Sequence, residues 1–310
     1  MTAQAAASAA AAERRRLRGT AIGFVAVLLW ATLALMTAAS GRVPPFQLVA
    51  MSFAIVFAAS ALKWAVRRQP VGPILRQPAR AWALGVAGLF GYHFFYFVAL
   101  RNAPPVEASL IAYLWPLLIV LFSAALPGER LRWRHVAGAL AGLAGAGLLV
   151  TGGAELSFKR EFLAGYLAAL ACALIWSGYS VLSRRFAAVP TDTVAGYCGV
   201  TAVLATLAHL VFERTVWPDG AGQWLAVAGL GLGPVGFAFF FWDHGVKHGH
   251  IQALGASSYA APLLSTLILI AAGYAAATPV VLLACLLITG GAALASAEML
   301  RRRPPRASPA

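Results

Sequence analysis

Aromatic and polar side chains cluster at helical spacing inside otherwise apolar stretches of this chain. Tyr92, His93 and Tyr96 fall within about one helical turn, and Ser109 and Tyr113 share a second helix face. Aromatic rings attract ammonium ions, and hydroxyl and imidazole groups donate and accept hydrogen bonds. The sequence contains no His-Glu-x-x-His motif, Gly-x-Ser-x-Gly motif or Gly-x-x-x-x-Gly-Lys-Ser/Thr loop. These residues therefore predict reversible binding of a small molecule, with no cofactor, metal or covalent intermediate.

The elements that must position these residues are membrane helices. Apolar residues make up 61% of the 310 and charged residues only 11%, against about a quarter charged in a typical soluble domain. The apolar residues fall in blocks of about 20, the length at which a helix crosses a hydrocarbon core of about 30 Å. The sequence thus predicts an all-α integral membrane protein with ten transmembrane helices. We place them at 20–40, 46–65, 81–101, 105–127, 134–152, 163–183, 193–212, 223–246, 251–273 and 279–298.

The positive charge of the chain lies between these helices. The net charge is +14, and by this assignment 19 of the 24 Lys and Arg residues fall in the tails and alternate loops on one side. Basic residues favour the cytoplasmic side, so we expect both termini there, in the inner membrane of a bacterial cell. No basic patch lies on a soluble domain, which disfavours nucleic-acid binding. Nothing in the sequence indicates an obligatory protein partner, so we expect a monomer in the lipid bilayer.

The two halves of the chain repeat at an offset of 146 residues. Gly19 matches Gly165, Trp30 matches Trp176, Tyr113 matches Tyr259 and Pro116 matches Pro262. Because five is odd, the second five-helix copy enters the membrane from the opposite side, which predicts two inverted five-helix repeats around a central cavity. We divide the chain into an N-terminal tail (1–18) with a disordered Ala-rich start, repeat 1 (19–152), an extracytoplasmic linker (153–162), repeat 2 (163–298) and a basic C-terminal tail (299–310).

Polar residues in membrane helices mark the path of a solute, because a helix that faces lipid gains nothing from them. The predicted substrate-binding residues of the cavity are Trp30, Tyr92, His93, Tyr96, Tyr113, Trp115, Trp176, Tyr179, Ser258 and Tyr259. Candidates for coupling or gating are His93, Asp243, His244, Pro116 and Pro262. Each has a structural alternative: His93 as a core histidine, Asp243 paired with His244 or Lys247, and the prolines as static kinks. Glu129 is interpreted as a loop carboxylate.

A turn at Gly128-Glu129-Arg130-Leu131, followed by a Gly-rich fifth helix, resembles the EamA-type members of the drug/metabolite transporter superfamily. The segment Tyr113-Leu114-Trp115-Pro116 is similar to the branch of this superfamily that exports aromatic amino acids. The resemblance implies two five-helix repeats, a central cavity and transport by alternating access. The second repeat departs from the pattern, since Ala275-Ala276-Ala277-Thr278 stands where a Gly-Glu-Arg turn would be expected.

The predicted lining has little fixed charge, which favours a small amphipathic or zwitterionic solute over a polyanion. With the resemblance, this predicts an exporter of amino acids, aromatic and other neutral or apolar ones. The alternatives are export of lipophilic cations, drugs or other metabolites and, more remotely, an intramembrane enzyme or a receptor. Proton antiport and facilitated export both remain open.

Overall fold

The computed structural model describes residues 3–154, 156, 158–271, 273 and 276–297. Within these residues the chain is helical and has no strand. The first half contains α1 (Ala3–Trp30), α2 (Leu33–Ala39), α3 (Pro45–Val66), α4 (Gly72–Leu75), α5 (Ala79–Val86), α6 (Tyr92–Asn102), α7 (Pro105–Ala112), α8 (Trp115–Phe122) and α9 (Trp133–Thr151). A π-helical turn, Ala87–Gly91, joins α5 to α6.

The second half follows the same plan. It contains α10 (Leu163–Leu182), α11 (Val194–Phe212), α12 (Gly220–Leu232), α13 (Phe237–His248), α14 (Ile251–Ser257), α15 (Ala260–Ala271) and α16 (Pro279–Ala295). Short 3-10 turns lie at Ser123–Ala125, Arg160–Phe162, Ser183–Phe186 and Thr191–Thr193.

These helices combine into ten membrane spans. Nine stretches of the described chain are long and apolar enough to cross a membrane, and Pro279–Ala295 is a shorter apolar helix. In chain order, spans 1 to 9 are Ala7–Ala39, Pro45–Val66, Ala79–Asn102, Pro105–Ala125, Trp133–Thr151, Arg160–Phe186, Thr191–Phe212, Gly220–His248 and Ile251–Ala271. With span 10 at Pro279–Ala295, the predicted ten-helix membrane fold is confirmed.

The prediction of a disordered start was wrong, because α1 begins at Ala3 and runs unbroken into span 1. Alanine has the highest helix propensity of the common residues, which explains why an Ala-rich segment continues the helix. The predicted C-terminal tail, 299–310, lies outside the described residues. We call the face of the bundle that carries Arg14 to Arg18 the tail face.

The spans pack as two copies related by a pseudo-two-fold axis. Span 1 packs on span 8 and span 6 packs on span 3, while spans 2 and 7, 4 and 9, and 5 and 10 pair with each other. If spans 1 to 5 are matched to spans 6 to 10, the first two pairs exchange and the other three map onto themselves. The contacts therefore have the symmetry expected of inverted repeats.

Two glycines show this symmetry at atomic detail. A Cβ atom on Gly19 would lie 2.8 Å from the carbonyl carbon of His248, and one on Gly165 would lie 2.6 Å from the carbonyl carbon of Asn102. Asn102 and His248 are themselves separated by the repeat offset. The same contact is thus made twice, and only glycine allows the two backbones to approach this closely.

Spans 4 and 9 are broken at matched positions. Span 4 is interrupted at Tyr113 and Leu114, and span 9 at Ser258 and Tyr259. Pro116 and Pro262 each lie in the first turn of the helix that follows the break, where the missing N–H of proline costs little. Their role in gating remains a prediction. Spans 1 and 8 are also interrupted, at residues 31–32 and 233–236.

We expect Gly165→Ala to lower the midpoint of thermal unfolding, because the added methyl group meets the backbone of Asn102. Overpacking of this kind costs about 1–3 kcal/mol. Gly178→Ala, in the same helix α10, is the matched control, since nothing lies within 4 Å of its added Cβ. An equal loss of stability in both variants would contradict the close contact.

Candidate functional site

A cavity of about 720 Å³ lies at the centre of the bundle. Spans 1, 2, 3, 4, 6, 8 and 9 contribute to its wall, and among the described residues no Lys, Arg, Asp or Glu side chain lines it. The lining reaches Thr37 and Ala38, which are exposed at the end of span 1 far from the tail face. The cavity therefore opens toward the face opposite the tail face.

Seven of the ten predicted binding residues line this cavity. They are Trp30, Tyr92, His93, Tyr96, Tyr113, Trp115 and Trp176. Pro262 lines it as well, whereas Pro116 does not. Residues separated by up to 146 positions in the chain thus converge on one space, and their roles in binding remain predictions.

Four tryptophans cluster beside the cavity, and three of them, Trp30, Trp115 and Trp176, line it. The ring centroid of Trp30 lies 6.0 Å from the ring centroid of Trp115, 5.8 Å from that of Trp176 and 5.1 Å from that of Trp242. Trp242 is fully buried, and its indole N–H donates a 3.0 Å hydrogen bond to Ser180 Oγ. Sequence reasoning missed Trp242 as a member of this aromatic cluster.

The environment of His93 fixes its tautomer. Nδ1 lies 2.7 Å from the carbonyl oxygen of Leu89. A carbonyl oxygen can only accept, so Nδ1 carries the hydrogen and Nε2 of the neutral ring is left with a lone pair. Among the described residues, no hydrogen-bond partner of Nε2 is present. His93 therefore brings an unused acceptor to a cavity that has no fixed negative charge.

Tyrosine rings continue the wall beside His93. Tyr92 and Tyr96 are stacked with centroids 6.0 Å apart, and Tyr92 also contacts Trp176 at 5.6 Å. The hydroxyl of Tyr96 lies 3.3 Å from Ser109 Oγ. One part of the cavity is thus apolar and aromatic, and another carries neutral hydrogen-bonding groups.

Tyr259 was predicted to line the cavity, and this placement was wrong. Its hydroxyl donates to the carbonyl oxygen of Tyr113 at 3.1 Å and accepts from the N–H of Leu117 at 3.3 Å. In an unbroken helix these two backbone groups would bond to each other. The side chain instead bridges the break in span 4.

Tyr179 and Ser258 also lie away from the cavity, contrary to prediction. Tyr179 packs on Trp176 at 5.2 Å and is 2% exposed, beneath Gly88 of the π-helical turn. The hydroxyl of Ser258 bonds to the carbonyl oxygen of Leu254 at 2.7 Å within its own helix. Helical spacing alone does not show which face of spans 6 and 9 turns inward.

Two coupling candidates lie at the tail-face end of span 8 instead of the cavity. Asp243 is buried and forms an ion pair with Lys247 at 2.9 Å and accepts from Thr191 Oγ1 at 2.8 Å. The ring of His244 lies 4.7 Å from that of His248. The proposed pairing of Asp243 with Lys247 is confirmed. In the described part of the chain, no group of three or more His, Cys, Asp or Glu side chains is arranged so that it could hold a metal ion.

The model of the EamA-like transporter family matches residues 17–151 and, a second time, residues 163–297. The chain belongs to the EamA-like transporter family. It is 58% identical to the aromatic amino acid exporter YddG of Ancylobacter novellus over 256 residues, 82% of this chain and 88% of that one. YddG of Escherichia coli is 26% identical over 82% of this chain and 88% of its own. A solved crystal structure at 57% identity superposes with a TM-score of 0.86 over 91% of this chain and 99% of the other.

In this EamA-like transporter a cluster of charged residues connects several spans at the tail face. The carboxylate of Glu129 accepts hydrogen bonds from Arg16 at 2.6 Å and from Arg184. Arg184 also donates to the carbonyl oxygens of Val246, at 2.7 Å, and Gly249. The cluster joins spans 1, 6 and 8 to the loop between spans 4 and 5, at the face opposite the cavity mouth.

Sequence reasoning missed this role of Glu129, although the Gly-Glu-Arg turn that carries the family resemblance contains it. Partial burial by itself would raise the pKa of Glu129, but the positive charges of Arg184 and Arg16 outweigh burial and lower the pKa below its ordinary value. The carboxylate is therefore ionised and bound to both guanidinium groups at neutral pH.

We expect Glu129→Gln to destabilise the protein by about 1–3 kcal/mol at neutral pH, because two partly buried guanidinium groups lose their anion. A carboxyl whose folded-state pKa is lowered stabilises the protein above its ordinary pKa, about 4.3, and this stabilisation is lost as the pH falls through the lowered value. The difference in unfolding midpoint between wild type and variant should shrink below about pH 4.3. A difference that is independent of pH would contradict this assignment.

Proposed function

We propose that this protein exports aromatic and other apolar amino acids by alternating access through the central cavity. The observation that carries the proposal is an aromatic cavity without fixed charge that is open to one face and closed by an ion cluster at the other. Its volume of about 720 Å³ lies within the range of about 300–1,000 Å³ typical of small-molecule sites. The relatives named as aromatic amino acid exporters support the same substrate class.

The cavity offers complementary groups to both ends of such a substrate. An aromatic side chain would pack edge-to-face among Trp30, Trp115 and Trp176, and such ring pairs contribute about 0.5–1.5 kcal/mol beyond the burial of area. The ammonium group would donate to Nε2 of His93 and lie near the ring of Tyr92, where a cation–π contact is worth about 0.5–2 kcal/mol. The hydroxyls of Tyr96 and Ser109 share one hydrogen bond at 3.3 Å, which leaves the second hydroxyl hydrogen as a neutral donor for the carboxylate.

Lipophilic cations are the second candidate substrate, since the same aromatic faces would attract them. A cation without a carboxylate brings uncompensated charge into a cavity whose described lining residues include no Asp or Glu. A zwitterion carries its own counter-charge, which favours amino acids. Transport without catalysis belongs to the same proposal, because the curated relatives are named as exporters or transporters.

The orientation in the membrane follows from the same proposal. With the tail face toward the cytoplasm of a bacterial cell, as the distribution of Lys and Arg favours, the described conformation faces outward. We place a monomer in the inner membrane, and the two faces can be distinguished by labelling a cysteine introduced at Arg14 from each side of the membrane. Labelling from outside would reverse the orientation.

We expect Trp176→Leu to raise the half-saturation concentration for phenylalanine about tenfold in counterflow with proteoliposomes. The loss of ring contacts worth about 1.4 kcal/mol corresponds to this factor. Trp217→Leu is the matched control, because Trp217 is 61% exposed and stacks only on Trp224 among the described aromatic rings. If both variants transport like wild type, Trp176 does not contact the substrate.

We expect His93→Phe to reduce the preference for phenylalanine over 3-phenylpropionate, which lacks the amino group, by about 10- to 100-fold. A hydrogen bond to a charged group contributes about 1.5–3 kcal/mol. Competition of each compound against labelled phenylalanine measures this preference. His93→Gln retains an acceptor and should keep part of it, whereas a uniform loss of affinity for both compounds would exclude His93 as the ammonium acceptor.

A further inference from the structure

A second cavity, separate from the transport cavity, lies at the tail face and measures about 1060 Å³. The N-terminal half of α1, the loop between spans 4 and 5, and the tail-face ends of spans 6 and 8 enclose it. Its wall carries six basic side chains, namely Arg15, Arg16, Arg18, Arg184, Arg185 and Lys247. The only acidic residue in its described wall is Glu129.

The protein's own carboxylates satisfy only part of this positive charge. Arg16 and Arg184 bind Glu129, and Lys247 binds Asp243 at 2.9 Å. Arg15, Arg18 and Arg185 are exposed, and none has an acidic partner among the residues that the structure describes. The pocket therefore holds three guanidinium groups that no carboxylate of the described residues neutralises.

The geometry of guanidinium groups indicates which kind of anion would suit this pocket. Each presents a planar fork of N–H donors that matches two oxygens of a phosphate group, and arginine is weakly hydrated enough to exchange water for such a ligand. Basic pockets between the ends of membrane helices lie at the depth of lipid headgroups. A zwitterionic amino acid supplies one carboxylate and no net charge, so it would leave most of the pocket unbalanced.

We propose that the tail-face pocket is a binding site for a phosphate group, held by Arg15, Arg18 and Arg185. The phosphate could belong to the headgroup of an anionic phospholipid or to a soluble phosphate. Both use the same contacts, and the two sources differ in how the ligand reaches the pocket. The site lies beside the Glu129 cluster and is chemically distinct from the uncharged transport cavity.

The test uses the full chain in nanodiscs of phosphatidylcholine, with and without about one fifth phosphatidylglycerol, and reads the midpoint of thermal unfolding. A parallel series adds inorganic phosphate to the neutral nanodiscs, against chloride at equal ionic strength. The pocket variant is Arg15→Gln/Arg18→Gln/Arg185→Gln. The matched control, Arg67→Gln/Arg76→Gln/Arg80→Gln, removes the same charge from exposed residues outside the pocket, two in the loop between spans 2 and 3 and one in the first turn of span 3.

A bound ligand in excess should raise the midpoint of wild type by about 3 °C or more. The pocket variant should lose this rise and the control should keep it. A rise with phosphatidylglycerol alone assigns the site to a lipid headgroup, and a rise with inorganic phosphate assigns it to a soluble anion.

No rise in wild type with either ligand would overturn the site, as would an equal loss in both variants. The single variant Arg18→Gln replaces the triple one if the latter does not fold, and a rise equal to that of wild type would also overturn the site. The measurement needs no transport, so its outcome is independent of the proposed function.

Discussion

A backbone N–H or C=O without a partner in a hydrocarbon layer costs several kcal/mol, so a membrane helix can be broken only where other protein groups or water in a cavity supply a substitute partner. In span 4 the hydroxyl of Tyr259 takes this part, between the carbonyl oxygen of Tyr113 and the N–H of Leu117. The central cavity depends on these substitutions, because the breaks bring side chains of spans 4 and 9 together around the axis. The surrounding spans pack closely on each other through glycines, as Gly19 of span 1 does against the backbone of His248 in span 8.

The charges of the molecule are separated from its cavity. Ion pairs stand at the ends of spans, Glu129 with Arg16 and Arg184 at the tail face and Arg101 with Glu213 at the opposite face. At these depths water and headgroups lower the cost of a charge, whereas near the middle of the bilayer the cost is highest. The cavity can therefore accept a solute with balanced charge, while the faces carry the interactions that hold the spans together.

Much of the fold could be predicted from the sequence, because the sequence features that predict it each reflect a single physical requirement. The length of the apolar blocks gave the spans, and the offset that relates Trp30 to Trp176 gave the repeat. The site was harder to predict, since periodicity places a side chain on a face without saying what that face meets. Tyr179 and Ser258 were misplaced for this reason. Glu129 was underestimated because its two arginine partners come from distant segments.

Tyr113 and Tyr259 occupy equivalent places in the two repeats and yet behave differently. Tyr113 lines the cavity, whereas Tyr259 inserts its hydroxyl into the backbone of the opposite repeat. Such a difference between equivalent residues is expected of a transporter whose two states differ by exchange of the conformations of its repeats. In the opposite state the two tyrosines would exchange roles. The hydroxyl of Tyr113 would bond to the backbone at the break in span 9, and Tyr259 would line the cavity. Each of the two phenol groups would then stabilise the broken helix of the other repeat in one of the two states.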